Sequence, residues 1–474
     1  MKKIGLYLFT NDLRINDNQL LHCAAQSVDK LICVIVEPTW VHFSADLAQE
    51  QSYGAHRQAF VSQSIANLES NLVKLGQQLV VIHSNHLEPG AAEHTLSQII
   101  VSQHVTHFFA NAHCGYDELQ LIRSIQRQSP NLVMCLPHHS TLFDSHELPF
   151  ELSKVPSSFT KFRKLVEHLD VNRNETVVSA LPPAVRLALT STSTSTSTST
   201  STISLFSSPN DESAVISDYL GGEDAGLAHL ENYFSHDYAF NYKQTRNAFD
   251  GIENSTKFSP WLALGCVSPK TIYRHLKQFE ADHGSNDSTY WIYFELLWRE
   301  YFYWKCLSLG SSLFGETSNH KLDSSNSSET SMLNFAKWKS GNTNYPIVDE
   351  CMRQLNTTGY MSNRGRQLAA SCLIYELGID WRHGAAYFES QLIDYDAASN
   401  WGNWAYIAGA LNSQVNTQAN KKNDAKQPKP KTKPKSRHFD LGKQTNMYDP
   451  DHAFINKWNA SSNEPVLTNN QDVL

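Results

Sequence analysis

The chain is predicted to fold as an α/β amino-terminal domain, a doubly wound parallel sheet, followed by an all-α carboxy-terminal domain. Three observations carry that prediction. Residues 1–140 alternate short apolar runs with amphipathic ones. Residues 213–411 hold helical periodicity almost throughout, and a Ser/Thr repeat with no apolar face separates the two regions. Alternation of the first kind builds parallel sheets covered on both faces, whereas long helical-period segments pack helix on helix. At 474 residues the chain is also longer than one hydrophobic core usually serves.

Runs 4–9, 31–36, 79–82, 107–109 and 132–136 are short and rich in β-branched or aromatic residues, as strands are. Between them, 18–28, 52–75, 91–103 and 117–128 space their apolar residues three and four apart, as helices do. No G-x-G-x-x-G follows the first strand, so that dinucleotide fingerprint is absent there. Residues 141–212 read as an interdomain linker: Pro182 and Pro183 precede a Ser/Thr alternation from Thr190 to Thr202. Such a repeat buries nothing and is expected to lie exposed. Within 213–411, segments 290–307 and 358–377 are the strongest helices. Residues 412–474 turn polar and Lys/Pro-rich, which opposes helix and favours solvated, extended backbone. Aromatics return between Met447 and Trp458, where the chain is expected to rejoin the body.

Composition excludes several classes. No apolar run approaches the roughly 20 residues of a membrane-spanning helix, and the apolar stretch after Lys2 and Lys3 is too short for a secretion signal. Eight scattered cysteines without a C-x-x-C pair point to a reduced, cytoplasmic protein, and no metal site is expected. The net charge of −8 argues against a broad nucleic-acid surface. Residues 421–437, with eight Lys/Arg against one Asp, read as a solvated basic segment. A nucleic-acid site elsewhere would have to be a local patch on an acidic protein.

Several constellations carry chemistry. Glu295, Trp298 and Arg299 fall at i, i+3 and i+4 and share one helix face. Ser255-Thr-Lys-Phe-Ser-Pro-Trp261 gathers hydroxyls and backbone N–H groups ahead of a helix-opening proline, a pattern that can cradle an anion. Asn363 and Arg366 face one way, with Asp394, Asp396 and Asn400 downstream, and a buried Arg366 would need a partner such as Asp394. Taken singly, these read as an ion pair, an N-cap and a charge pair, and Trp381, Trp401 and Trp404 as core aromatics. Together they suit a buried, anionic, redox-active cofactor.

The same residues resemble the photolyase/cryptochrome family, and specifically its DASH branch. Asn11-Asp-Leu-Arg14 with Asp17-Asn18, Lys257 through Gly265, Asn286 through Trp291, Phe294 through Arg299 and 358–367 carry the resemblance, which runs from residue 4 to about 410 with an echo at Tyr448-Asp-Pro450. Thr10 stands where the family usually has arginine. The resemblance implies a folded FAD in the helical domain. Tyr242, Ser255, Thr256, Lys257, Phe258, Ser259, Arg299, Asn363, Arg366, Asp394, Tyr395 and Asp396 would hold it, with Asn400 facing the flavin N5.

It further implies light-driven splitting of cyclobutane pyrimidine dimers by an electron from reduced FAD. Glu295 and Trp298 would face the lesion, and Arg246 and Arg364 would contact phosphate. Gln367 and Tyr406 stand where the duplex-repairing members of the family carry Met and Trp. This more polar pocket implies a preference for dimer-containing single-stranded DNA, where no base pair opposes extrusion. Trp404 and Trp381 match the inner two of the family's three photoreduction tryptophans, but Ser328 and its neighbours offer no aromatic for the outer one. A methenyltetrahydrofolate antenna usually relies on a carboxylate after an Ala-His pair. Here Ala112-His113 is followed by Cys114-Gly115, leaving Asp117 or Glu118 to substitute only after a loop shift. A monomer is expected. The alternative function is a blue-light receptor signalling through a protein partner, to which the long segment after residue 411 could contribute.

Overall fold

The computed structural model describes residues 2–37, 44–50, 52–83, 90–171, 174–185, 187, 202–205, 219–314, 329–411 and 437–461. Strands β1 (Ile4–Phe9), β2 (Lys30–Glu37), β3 (Leu79–His83), β4 (His107–Ala110), β5 (Val133–Cys135) and β6 (Thr202–Leu205) form one sheet, ordered β5-β4-β1-β2-β3-β6. The first five strands run parallel, and β6 pairs antiparallel with β3. Helices α1 (Gln19–Ser27), α2 (Ala45–Ala48), α3 (Ala55–Lys74), α4 (Ala91–Ser102) and α5 (Tyr116–Gln128) complete the doubly wound layer structure.

Successive side chains of β1 and β2 point to opposite faces, as the pleat requires. Leu6, Leu8, Ile32 and Val34 enter a small core with Leu96, Ile99 and Ile125 of α4 and α5. Tyr7, Phe9, Cys33 and Ile35 enter a large core that continues into the helical domain. Across that seam Phe60 of α3 meets Trp261 edge-on, with ring centroids 6.3 Å apart. The backbone joins there too: Leu13 N–H donates to Leu264 O at 3.0 Å, and Arg14 Nη1 donates to Gly265 O at 2.9 Å. Asp17 accepts from Ser268 Oγ at 2.6 Å and pairs with Arg274 at 3.1 Å. The Asn11–Asn18 signature is thus the polar clamp between the two domains.

The helical domain comprises α6 (Phe159–Val166), α7 (Glu223–Phe234), α8 (Tyr238–Thr245), α9 (Ser259–Ala263), α10 (Pro269–His283), α11 (Asp287–Leu309), α12 (Glu329–Ser340), α13 (Pro346–Thr358), α14 (Asn363–Ser371), α15 (Trp381–Gln391) and α16 (Ala397–Ile407). Two further helices, α17 (Leu441–Tyr448) and α18 (Ala453–Ser461), follow among the described residues. The central α11 starts from a capping box: Asn286 accepts the backbone N–H of Ser288 and Thr289, and Thr289 Oγ1 takes the Asn286 N–H. Such a cap is worth about 1 kcal/mol.

Two expectations change. The linker is not uniformly exposed. Phe159, Phe162 and Val166, spaced for one helix face, bury α6 against α11, and Ile203 with its neighbours lends β-propensity to an edge strand on β3. The Ser/Thr repeat from residue 190 to 201 lies outside the described residues. The helix expected over 358–377 is broken at Gly359, whose φ of +70° caps α13, and Ser362 then accepts the Gly365 N–H to start α14. Residues 437–461 return to the body: Phe454 stacks on Phe249 at 4.9 Å, and Asp449 accepts the Phe454 and Ile455 N–H groups that open α18. No helix among the described residues is long and apolar enough to cross a membrane.

Candidate functional site

Helices α8, α11, α14 and α16 surround a cavity of 540 Å³. From α8 and the turn after it come Tyr242 and Arg246; from the 255–259 loop come Ser255, Thr256, Lys257, Phe258 and Ser259. This loop is tightly turned, with Ser255 and Lys257 both in the left-handed region at φ +73° and +54°. Left-handed backbone is disfavoured for such residues and persists only where the surroundings impose it. Lys257 is 5% exposed, sits 5.0 Å from the Tyr360 ring centroid, and has no carboxylate in ion-pair contact among the described residues. A buried ammonium without an anion is costly. The cavity therefore fits an anionic ligand at this end.

The arginines of α11 and α14 that line the cavity are paired with carboxylates. Arg366 on α14 reaches Asp394 through Nη2, at 2.7 and 2.9 Å from the two oxygens, while its Nε donates to Met361 O. Ser259 Oγ donates to the same carboxylate at 2.6 Å. Arg299 of α11 meets Asp396 at 3.2 Å and donates to Ser140 O at 2.6 Å, tying the cavity to the loop beyond β5. Asp396 in turn caps α16 by accepting the Ser399 N–H. Asn400, one turn along α16, donates Nδ2–H to Ala385 O at 2.9 Å, so its carbonyl oxygen is the end left for the cavity.

Glu295 and Trp298 line the same cavity from α11. Burial pushes the Glu295 carboxyl above its ordinary range, while its ion pair with Arg246 draws it down. Trp298 stacks on Phe159 with centroids 3.8 Å apart and meets Tyr406 edge-on at 5.5 Å. Gln367, Asn363, Trp404 and Tyr406 complete the wall. A site joining one uncompensated cation, several amides and aromatic faces can bind a phosphate-bearing heterocycle.

The structure gives two expected site residues other surroundings. The turn at 393–394 sends Asp394 into this cavity and Tyr395 into a second one of 260 Å³, where Arg57 lies over the Tyr395 ring at 4.7 Å. Arg364 does not line the cavity: it donates to Asn247 Oδ1 at 2.9 Å and Gln444 Oε1 at 3.2 Å, and rests on Tyr448 of α17 at 4.5 Å. Trp381 lies behind the cavity, one turn before Gly384, on which the Trp404 ring packs. Ser328 lies outside the described residues. Asp117 and Glu118 line the second cavity from the start of α5. Burial works against charge on His113, yet Glu118 raises it to about 9.

Among the wall residues that escaped the sequence reading, two come from the segment after residue 436. Arg437 lies over the Tyr406 ring at 3.9 Å and Phe439 follows it into the cavity wall, its backbone N–H donating to Ser371 Oγ. Arg437 ends the basic run, and nothing in its spacing distinguishes it from the lysines before it.

The family model for the FAD binding domain of DNA photolyase matches residues 291–464, and the DNA photolyase model matches residues 5–183. The chain belongs to the photolyase/cryptochrome family of FAD-binding flavoproteins. Within it, the chain is a member of the cryptochrome-DASH branch. It is 47% identical to Cryptochrome DASH of Vibrio parahaemolyticus over 96% of this chain and 93% of that one. With Cryptochrome DASH of Idiomarina loihiensis the identity is 42%, over 98% and 94%. The solved cryptochrome of Synechocystis sp. matches with a TM-score of 0.77 at 35% identity, covering 97% of this chain and 89% of that one. A class III photolyase from Agrobacterium tumefaciens shares the fold, with a TM-score of 0.70 at 22% identity over 97% and 86%.

Proposed function

We propose that the chain is a blue-light-driven lyase that splits cyclobutane pyrimidine dimers, preferentially in single-stranded DNA. The observation that supports this most is the presence of Glu295 and Trp298 on the wall that also carries the FAD-type ligand set. Lys257, Ser255, Thr256 and Ser259 would hold the pyrophosphate end, and Arg299, Arg366, Asp394 and Asp396 the charged flank. Tyr242, Phe258 and Asn363 would line its apolar and polar edges. Asn400 would present its carbonyl to the flavin N5. Reduced FAD, when bound and excited, supplies the electron that opens the dimer.

The chain's own residues would do the rest. Trp298, backed by Phe159, offers a flat surface for the extruded bases. Glu295 would hydrogen-bond their polar edges, and Gln367 and Tyr406 would flank them. Arg246, already spent on Glu295, would bind phosphate only as a shared charge. The test is blue-light repair of dimer-containing oligo(dT) as single strand and as duplex. We expect faster turnover on the single strand and a loss of roughly 10²-fold or less in Glu295→Gln, the scale of one positioned hydrogen bond. Equal rates on the two substrates would refute the strand preference, and unimpaired Glu295→Gln the assignment of the carboxyl.

A second reading, light signalling, draws support from α17, which grips Arg364 beside the cavity. Absence of turnover with fully reduced FAD would favour it.

A further inference from the structure

Trp404 faces the cofactor cavity, whereas Trp401, one turn back on α16, is fully buried and borders the second cavity. Trp381, the first residue of α15, meets the Trp401 ring edge-on with centroids 5.9 Å apart. Trp401 donates its Nε1–H to Glu389 Oε2 at 2.9 Å, and Glu389 sits near the far end of α15. Trp404 packs against Gly384, one turn along α15 from Trp381, so the three indoles are gathered where α15 meets α16, and Trp401 ends on a buried carboxylate.

We propose that Trp401 is the terminal electron donor of this cluster and that Glu389 accepts its proton. The oxidant is a photo-excited, oxidised isoalloxazine ring acting through Trp404 and Trp381. Trp401 gives one electron to the oxidised Trp381, restoring it. The Trp401 Nε1–H bond breaks, its proton passes to Glu389 Oε2, and a neutral indolyl radical and a neutral carboxyl group remain. An oxidised indole is a far stronger acid than indole itself, so a carboxylate already in hydrogen-bond contact takes the proton without solvent. Moving the proton away from the hole slows the electron's return.

Glu389 is suited to the task. Burial raises its carboxyl to about 7, Arg57 and the Trp401 N–H draw it down, and Glu118 raises it. The groups facing it are Arg57 of α3 (which donates to the Glu389 carbonyl), Tyr53 before that helix, Asp117 and Glu118 of α5, and Tyr395 of the 393–396 turn. Above about 7 the carboxylate is free to accept; below it the site already holds a proton, so transfer is lost as pH falls.

Flash photolysis of the purified, FAD-loaded protein tests this, read in the visible for indole radicals and in the infrared for carboxyl groups. Wild-type protein at alkaline pH is expected to show a light-induced carboxylic C=O band together with a neutral indolyl radical. Both should vanish in Trp401→Phe. Glu389→Gln keeps an acceptor oxygen for the indole and should leave a cationic radical with a shorter life. No carboxyl band in the wild type would overturn the proposal, and that measurement stands whether or not either variant folds. A neutral radical that persists unchanged in Trp401→Phe or Glu389→Gln would overturn it too.

Discussion

Arg246 and Glu295 are ion-paired on the cavity wall, and the guanidinium also rests over the Trp291 ring at 4.6 Å. Desolvation lifts the Glu295 carboxyl, and Arg246 is the group that opposes the lift. In Arg246→Ala, desolvation acts unopposed, so Glu295 should titrate at a higher pH than in the wild type. An infrared titration of the carboxylate, with Glu295→Gln as the blank, measures the shift. An unmoved titration would mean that solvent, not Arg246, sets the charge of this residue.

Trp404 owes its position to Gly384. A methyl group there would stand 2.2 Å from Trp404 Cη2 and 2.5 Å from Leu373 Cδ2, so the indole must move. Gly384→Ala is expected to destabilise the fold by about 1–3 kcal/mol, as overpacked cores do. It should also slow photoreduction of bound FAD. Denaturation midpoints and steady illumination report the two effects, and wild-type values in both would remove Gly384 from this role.

Burial raises both Glu300 and Glu389 to about 7, from an ordinary value of 4.5. The folded state then binds protons more tightly than the unfolded chain. Stability contributed by these groups is present below 4.5 and is lost as pH rises through about 7. Each unit of upward shift corresponds to roughly 1.4 kcal/mol. Urea midpoints between these limits should depend less steeply on pH in Glu300→Gln than in wild type. The slope is the readout, because the substitution also weakens the bonds from Leu142 N and Trp304 Nε1. An unchanged slope would show that Glu300 stays ionised.

Gln367 and Tyr406 share one wall with Trp298. Replacing them together by Met and Trp gives the extruded bases more apolar contact, which offsets part of the unpairing cost. The double variant Gln367→Met/Tyr406→Trp should raise duplex repair relative to single-strand repair. Competition between the two substrates in one tube measures the ratio, and a ratio at the wild-type level would move strand preference to other residues.

Much of this was legible in the sequence because its signals are local. β1 has the expected limits, and the capping box of Asn286 and the face shared by Glu295, Trp298 and Arg299 depend only on neighbouring residues. What escaped was set by distant partners. Arg364 reads as a phosphate contact, and its partners Asn247, Gln444 and Tyr448 escape that reading because they are far from it in sequence. Tyr395 was grouped with Asp394 and Asp396 because a turn cannot be read from composition alone. Arg437 was hidden in a run of like charges, and Thr202–Leu205 needed the open edge of β3 to become a strand.

The clamp formed by Leu13, Arg14 and Asp17 on the 264–274 segment has a thermodynamic consequence. Each half of the chain relies on the other to cover its apolar face: Tyr7 and Phe9 on one side, Trp261 and Trp401 on the other. Melting is therefore expected to be cooperative across the seam, with one calorimetric transition rather than two. A fragment cut between the halves would expose that face and is expected to aggregate.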